Sequence, residues 1–531
     1  MEKLLRKVVM LRFFVKNKTV LSLLFCLVLK TSAAQLSVRE SKKLFFKADK
    51  AFEFGNYLEA LNMYNTLYPN DSTNFELNYK IGVCSFEIKK YRKSALKYFE
   101  KTSITDFPEV NYYLGRLYHL QRNYEKAITY YSKYKNVKGE VEHSRKEIND
   151  LIAKCNTAKL MELKEDHTLQ IKNLGDTINT EYPEYAPLVP AQENFMFYTS
   201  RRKNEIHIEK DAVGDYFEDI YFSERKDKKW LQPKMLDTAI NTSVHDAGTG
   251  LSADGEKLLL FRTSKDLKSG DIYESNFIHQ NWTHPTMLGT IVNDPEYLET
   301  SACYSPDGNT IFFSSNRPGG FGGKDLYSVK KLPNGNWGTP FNLGPSINTE
   351  YNEDAPFVHP VGNILFFSSE GHENMGGYDI FKSSFDETSK FDPPENLGCP
   401  VNTVDDDIFF VLNTDASIGY LSSEREGGFG SQDIYSVYFP INNIPLNAYT
   451  IHVFDESGKI INNVGILLTD MTKKTIYGVY KSNQNTGKIL VISPPEVSYL
   501  ITIQAEGYEP FISNTTFGTN NELVFKLRKI Q

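Results

Sequence analysis

The sequence predicts a multidomain α plus all-β protein. An N-terminal α-helical repeat array leads into a five-bladed β-propeller, for which six blades fit the strand count less well, and a β-sandwich closes the chain. Three observations predict this. From Ser41 to about Asp166 apolar residues recur at three- and four-residue spacing, the helical period. An Asp-apolar-aromatic signature then recurs five times, at intervals of 52, 54, 54 and 54 residues. Beyond a linker containing Pro and Asn, alternating strands broken by Gly turns fill about Leu446 to Gln531.

Composition bounds what such a chain can do. It has 531 residues, with 59 Lys+Arg against 67 Asp+Glu. The first 34 residues carry a local +6, so the remainder carries −14. A surface that acidic lacks the clustered cations that displace counterions from phosphate, which excludes nucleic acid as the partner. A hydrophobic content of 40% with 13% aromatics supports packed cores and excludes wholesale disorder.

Residues 1–34 read as a signal peptide. Lys3, Arg6, Lys7, Arg12, Lys16 and Lys18 precede the apolar run Val20–Leu29, and Ser32 and Ala34 suit cleavage before Gln35. Ten apolar residues are too few for a membrane span, which needs about 20. Cys26 lacks the small residues that precede a lipidated Cys, and either Met1 or Met10 suits as the start. The mature chain is expected in the periplasm, peripheral to the outer membrane and without a transmembrane span. Cys84, Cys155, Cys303 and Cys399 form no C-x-x-C pair and no zinc spacing with His, and read as small buried side chains. Spacing leaves open whether Cys84 and Cys155 pair.

Residues 41–166 contain internal repeats. GNYLEALNMY, KKYRKSALKYF and RNYEKAITYY align Ala60, Ala95 and Ala127, with Tyr57, Tyr91 and Tyr124 opening the second helix of each pair. Each Ala marks a close helix crossing; Gly82 and Gly115 fall in the first helices. The period and positions resemble tetratricopeptide repeats. The segment from Val141 to Leu163 is expected to be a solvating cap helix, which an open repeat array needs.

Residues 168–440 switch to strand patterning. The signature is Asp219-Ile220-Tyr221, Asp271-Ile272-Tyr273, Asp325-Leu326-Tyr327, Asp379-Ile380-Phe381 and Asp433-Ile434-Tyr435. An apolar-Asn marker ends at Asn179, Asn241, Asn293, Asn348 and Asn402. Asp254-Gly255 and Asp307-Gly308 suit tight hairpins. Trp230, Trp282 and Trp337, with Phe391 in the fourth unit, are expected to open fourth strands and pack between blades. The fifth unit lacks its fourth strand. The segment Thr168–Gly175, ahead of the first unit, is expected to supply it and join the ring's ends.

Residues 446–531 alternate through YTIHVFDESGKIINNVGILLTD, GKILVIS and SYLITIQAEGYEPF. Gly507-Tyr508 after an alternating strand resembles the carboxypeptidase-regulatory-like, transthyretin-like β-sandwich.

Taken together, this order and the run S-P-D-G…FFSSNRPGGFGGKDLY resemble the PorE-type periplasmic proteins of the Bacteroidota, with propeller units similar to the WD-repeat-like family also seen in TolB. The resemblance implies a non-enzymatic scaffold for protein–protein interaction, an accessory of the type IX secretion and gliding machinery. PorE-type proteins end in an OmpA-like domain that binds peptidoglycan. None precedes Gln531, so the resemblance implies no direct peptidoglycan contact and a PorP/SprF-type outer-membrane partner, with other secretion-system components.

No reaction centre is read from the residues: no catalytic, cofactor-binding or metal residue is assigned. G-x-S-x-G is absent, and His245, His284, His359 and His372 fall in loop-like places as solvated or locally bonded groups. The five signature Asp read as turn or strand-start hydrogen-bonding devices. Asp405, Asp406 and Asp407 alternate direction on a strand and converge poorly on a metal. The loops NRPGGFGG and EREGGFGS, with Arg317 and Arg425, lack the Lys-Ser/Thr of a phosphate loop. Tyr112, Tyr113, Tyr118, Tyr130, Tyr131 and Tyr134 read mostly as core, the surplus available to a partner. Two other functions are compatible: a cell-wall or glycan ligand-binding module at the propeller mouth or the sandwich, and a degenerate hydrolase subunit.

Overall fold

The computed structural model describes residues 36–208, 210–211, 214–267, 269–386, 388–440, 446–518 and 520–530. The signal-peptide reading of residues 1–34, with Cys26 and the cleavage before Gln35, lies outside the described residues. Two compact units divide at Ser103–Ile104, inside the segment read as one helical region.

The first unit holds α1 (Val38–Glu53), α2 (Tyr57–Leu67), α3 (Phe75–Glu87) and α4 (Arg92–Phe99). Helix α1 starts earlier than the periodicity suggests because Ser37 and Glu40 form a capping box: the Glu40 amide donates to Ser37 Oγ at 3.3 Å, and the Ser37 amide to Glu40 Oε2 at 2.9 Å. Ala48, Ala60, Tyr64, Leu77, Ile81 and Cys84 share the core between α1, α2 and α3. Gly82 permits the α3–α4 contact, since a Cβ there would lie 2.6 Å from the Phe99 ring.

The second unit opens with α5 (Val110–Leu120), α6 (Tyr124–Lys135) and α7 (Arg145–Leu163). A Cβ at Gly115 would stand 2.5 Å from Tyr131, so α5 and α6 repeat the close pairing of the first unit's helices. Tyr113, Tyr118, Tyr131 and Tyr134 are buried. Tyr112 stacks on His143 at 3.6 Å, and Tyr130 on Tyr118 at 5.5 Å.

Five antiparallel sheets follow, forming a β-propeller. Their innermost strands are Glu184–Leu188, Asp246–Leu251, Glu299–Tyr304, Glu353–Val358 and Asp407–Leu412. Each touches the next, and the last touches the first, so the inner strands close a cycle. In sheets one to four the chain runs outward in order. The fifth sheet is completed from the opposite end of the propeller: Gln170–Asn173 pairs antiparallel with Asp433–Tyr438, Ile171 opposite Val437. The second strands of sheets three, four and five, Thr310–Ser315, Ile364–Ser369 and Ile418–Ser423, are buried at every position after the first, so both of their faces are covered.

The fourth strands differ from expectation. They are two residues long (Lys234–Met235, Thr286–Met287, Phe341–Asn342 and Glu395–Asn396), and each Trp precedes its strand in a small hairpin or bridge. Trp230 and Trp282 nonetheless reach the preceding sheet, meeting Tyr420 at 5.8 Å and Phe197 at 5.5 Å edge-on.

The C-terminal region packs two sheets: Ile489–Ser493, Asn447–Asp455 and Glu522–Leu527 against Thr475–Lys481, Val464–Asp470, Val497–Ala505 and Phe511–Phe517. Tyr449, Ile451, Val453, Ile466, Leu468, Ile501 and Ile503 form the core. The sequence hides three of these strands. Thr475–Lys481 is a sheet edge with Ile476 and Val479 exposed, so it shows no buried period.

Candidate functional site

The polar residues repeated in every sheet form two kinds of latch. In the first, each marker Asn is buried and clasps the residue after the signature Asp. Asn241 accepts from the Ile220 amide at 2.8 Å and donates to its carbonyl at 3.0 Å. Asn293 holds Ile272, Asn348 holds Leu326 and Asn402 holds Ile380 in the same way, at 2.7–3.0 Å. Asn179 clasps Ile434, 255 residues away, at 2.9 Å in both directions. One amide side chain thus satisfies two buried backbone groups beyond the short fourth strand. In sheets three, four and five the signature Asp anchors the loop before it. Asp325 accepts from the Phe321 and Gly322 amides at 2.7 and 3.0 Å, and Asp433 from Phe429 and Gly430 at 2.7 and 2.9 Å.

The second latch escaped the sequence reading. A fully buried carboxylate opens every inner strand: Glu184, Asp246, Glu299, Glu353 and Asp407. Arg202, Arg262, Arg317 and Arg425 bind those of sheets one, two, three and five. Ser315 also donates to Glu299, at 2.6 Å, and Arg317 continues to the Val292 carbonyl. The signal was present as an acid five or six residues after each marker Asn. It was masked by the Glu/Asp exchange. Arg317 and Arg425 are therefore committed inside the ring. Asp407 is turned inward on Arg425, while Asp406 accepts from the Tyr378 amide at 3.0 Å, so the three adjacent acids do not converge. Among the described residues no group of three or more His, Cys, Asp or Glu is placed to hold a metal ion.

Sheet four breaks this pattern. Gly371 stands where sheets one, three and five carry Arg, and His372 Nε2 donates to the Ile347 carbonyl at 2.9 Å. Glu353 keeps Ser369 and Thr349 as partners, and burial raises its pKa. The cation here comes from α7: Lys154 Nζ donates to the Glu370 and Gly376 carbonyls at 3.0 and 2.9 Å. His119 of α5 donates from Nε2 to the Met375 carbonyl at 2.9 Å, and burial pushes its pKa down to about 3. Lys146 pairs with Glu350, and the Tyr351 hydroxyl donates to Asp150. The charge of Arg116, opposed by burial, is favoured by the acids Asp405 and Asp406. Helix α7 is thus an interface helix rather than the solvating cap expected: its Ile148, Leu151, Cys155 and Ala158 are buried, and Lys154 is desolvated. Burial also raises Asp379, beneath the same loop, to about 8.

The helices meet loops at the starts of inner strands; the sandwich meets turns at their ends. Gln192 donates to Thr450, Asn483 to Asp254 at 3.1 Å and Thr486 to Glu256, while Lys488 pairs with Glu256 at 2.7 Å. On that side the ring's centre opens into a small, mostly apolar pocket, with Pro187, Pro306, Pro356, Tyr304, Phe357 and Phe409 in its wall. Of the histidines singled out, His359 is buried on the Asn413 carbonyl at 3.0 Å and His245 pairs with Glu218 at 3.1 Å, so neither is a solvated group. Cys84, Cys155, Cys303 and Cys399 are free thiols.

No family model and no curated protein matches the chain. Solved structures of β-propeller type do. A protein described as TolB from Agrobacterium tumefaciens is similar over 51% of this chain and 98% of its own, at 15% identity and a TM-score of 0.26. An α-L-arabinofuranosidase from Lactobacillus brevis is similar over 54% of this chain and 95% of its own, at 10% identity and a TM-score of 0.32. The β-propeller domain of the Trilobed protease from Pyrococcus furiosus is similar over 64% of this chain and 85% of its own, at 10% identity and a TM-score of 0.23. Enzymes and non-enzymes both stand among these neighbours, and none lends this chain a substrate.

Proposed function

We propose that this chain is an exported, non-enzymatic scaffold at the periplasmic face of the outer membrane, an accessory of type IX secretion and gliding. In this reading residues 41–166 are a tetratricopeptide array, residues 168–440 a five-bladed WD-repeat-like propeller and residues 446–531 a carboxypeptidase-regulatory-like sandwich. One observation carries it: the recurring acids, amides and arginines, which would be the natural candidates for chemistry, are engaged in holding strands together sheet after sheet. What the second unit then offers is surface, with α5 and α7 fixed on one side of the propeller and the sandwich on the other. The test is affinity purification of the full chain from the native envelope. Recovery of outer-membrane and secretion components, a PorP/SprF-type protein among them, is the expected result. Recovery of no protein, together with retention on isolated cell-wall glycan, overturns it.

The second reading, a ligand-binding propeller mouth, would seat its ligand in the central cavity. Its wall of Pro, Phe and Ala offers few partners for hydroxyl groups. A glycan bound there predicts calorimetric heat with soluble cell-wall fragments, and its absence removes this reading.

A further inference from the structure

Four residues before the signature Asp, sheets three, four and five carry Phe321, Met375 and Phe429. Met375 is 1% exposed, and His119 of α5 and Lys154 of α7 donate to its own carbonyl and to that of Gly376. Phe321 and Phe429 are 50% and 52% exposed. The loops that carry the three residues are equivalent. Each spans eleven residues from Ser to Asp: Ser315–Asp325, Ser369–Asp379 and Ser423–Asp433. The amides of Phe321, Met375 and Phe429 each donate to their own signature Asp, at 2.7, 2.9 and 2.7 Å. The following glycines, Gly322, Gly376 and Gly430, press on carbonyls of the next sheet's lead-in loop, where a Cβ would come within 2.4, 2.0 and 2.2 Å. All three apolar tips are therefore held in place before anything binds. Leu267 shares the offset but not the anchor, its amide donating to the Ser264 carbonyl.

The chain itself displays what such a loop receives: a pair of helices whose Lys and His donate to the tip carbonyls, at the one of the three tips whose side chain is buried. We infer that the Phe321 and Phe429 loops are docking sites for an α-helix of a partner protein, gripped as α5 and α7 grip the Met375 loop. The incoming helix presents an apolar patch to the Phe ring and a Lys or His within one turn, to reach the carbonyls of Phe321–Gly322 or Phe429–Gly430. The overall negative charge of the chain favours that basic partner face. This inference rests on the scaffold reading and names its surface and partner class.

The test is site-specific photo-crosslinking of the full chain in its source cells, with Phe321→p-benzoylphenylalanine and Phe429→p-benzoylphenylalanine in separate variants. Glu350→p-benzoylphenylalanine, on an exposed side chain beside Lys146, is the control and captures α7 of the same chain. The expected adducts from positions 321 and 429 map to a helical, Lys- or His-bearing segment of another protein. The doubly substituted Phe321→Ser, Phe429→Ser chain then recovers that protein at least about tenfold less, with an unchanged unfolding midpoint. Adducts on extended segments, lipid or glycan, silence at both positions while the control reacts, or undiminished recovery each overturn the inference. If envelope proteins still co-purify in those cases, the scaffold reading survives alone; if none does, that reading falls first.

Discussion

At the scale of single residues, the five marker asparagines show what a repeat can and cannot reveal. Their recurrence was legible because Asn179, Asn241, Asn293, Asn348 and Asn402 each end a similar run. Their work was not, since a clasp on a backbone 21 residues away leaves no local pattern. Asn293→Ala strands the buried amide and carbonyl of Ile272 and is expected to cost about 2–4 kcal/mol in urea unfolding. A loss below about 0.5 kcal/mol would show that water replaces the clasp. Asp379 makes a second residue-scale prediction. Burial raises its pKa to about 8. An acid raised in the native state binds its proton more tightly when folded. Its stabilising contribution is complete below the ordinary carboxylate value of about 3.9 and is lost as pH climbs toward 8. Asp379→Asn is therefore expected to flatten the wild-type decline in unfolding midpoint between pH 5 and 8. Parallel profiles for the two proteins would refute that assignment.

At the scale of elements, α7 is where sequence reasoning and structure part. Its polar composition suited a solvated end helix, and nothing within its own residues marks Lys154 as buried. The cause lies more than 200 residues away, where Gly371 replaces an arginine and the Glu370 and Gly376 carbonyls await a donor. A pattern confined to one helix cannot carry that information. Lys154→Ala is expected to raise amide hydrogen exchange in Arg145–Leu163 and in the 369–379 loop by tenfold or more, about 1.4 kcal/mol of local stability. Exchange in the C-terminal sandwich should be unaltered. Uniform acceleration across both would mean global destabilisation instead of loosened docking. The edge strand Thr475–Lys481 was illegible for a different reason: with little of it buried, it has no period to read.

For the whole molecule, the pairing of Gln170–Asn173 with Asp433–Tyr438 decides whether the sheets form a ring or an open stack. It was readable from the sequence as a deficit, because one unit lacked a partner strand that another segment had to spare. Lys172→Pro removes an amide on the side facing Ser436 in that pairing and should expose Asp433–Tyr438 as a bare edge, giving soluble oligomers in light scattering. Glu395→Pro, in the two-residue outer strand of sheet four, is the milder comparison; equal oligomerisation of both would deny the closure a special role. The closure also sets a clock. Asn173 leaves the ribosome 260 residues ahead of Asp433, the acid it will hold. Through that interval the early segment has nothing to zip against, and every sheet made meanwhile stands in an unfinished arc. Any machine that moves this chain across a barrier therefore handles a string that can snap shut only after its tail end arrives, and a prematurely released fragment keeps one sticky flank that no later step can cover.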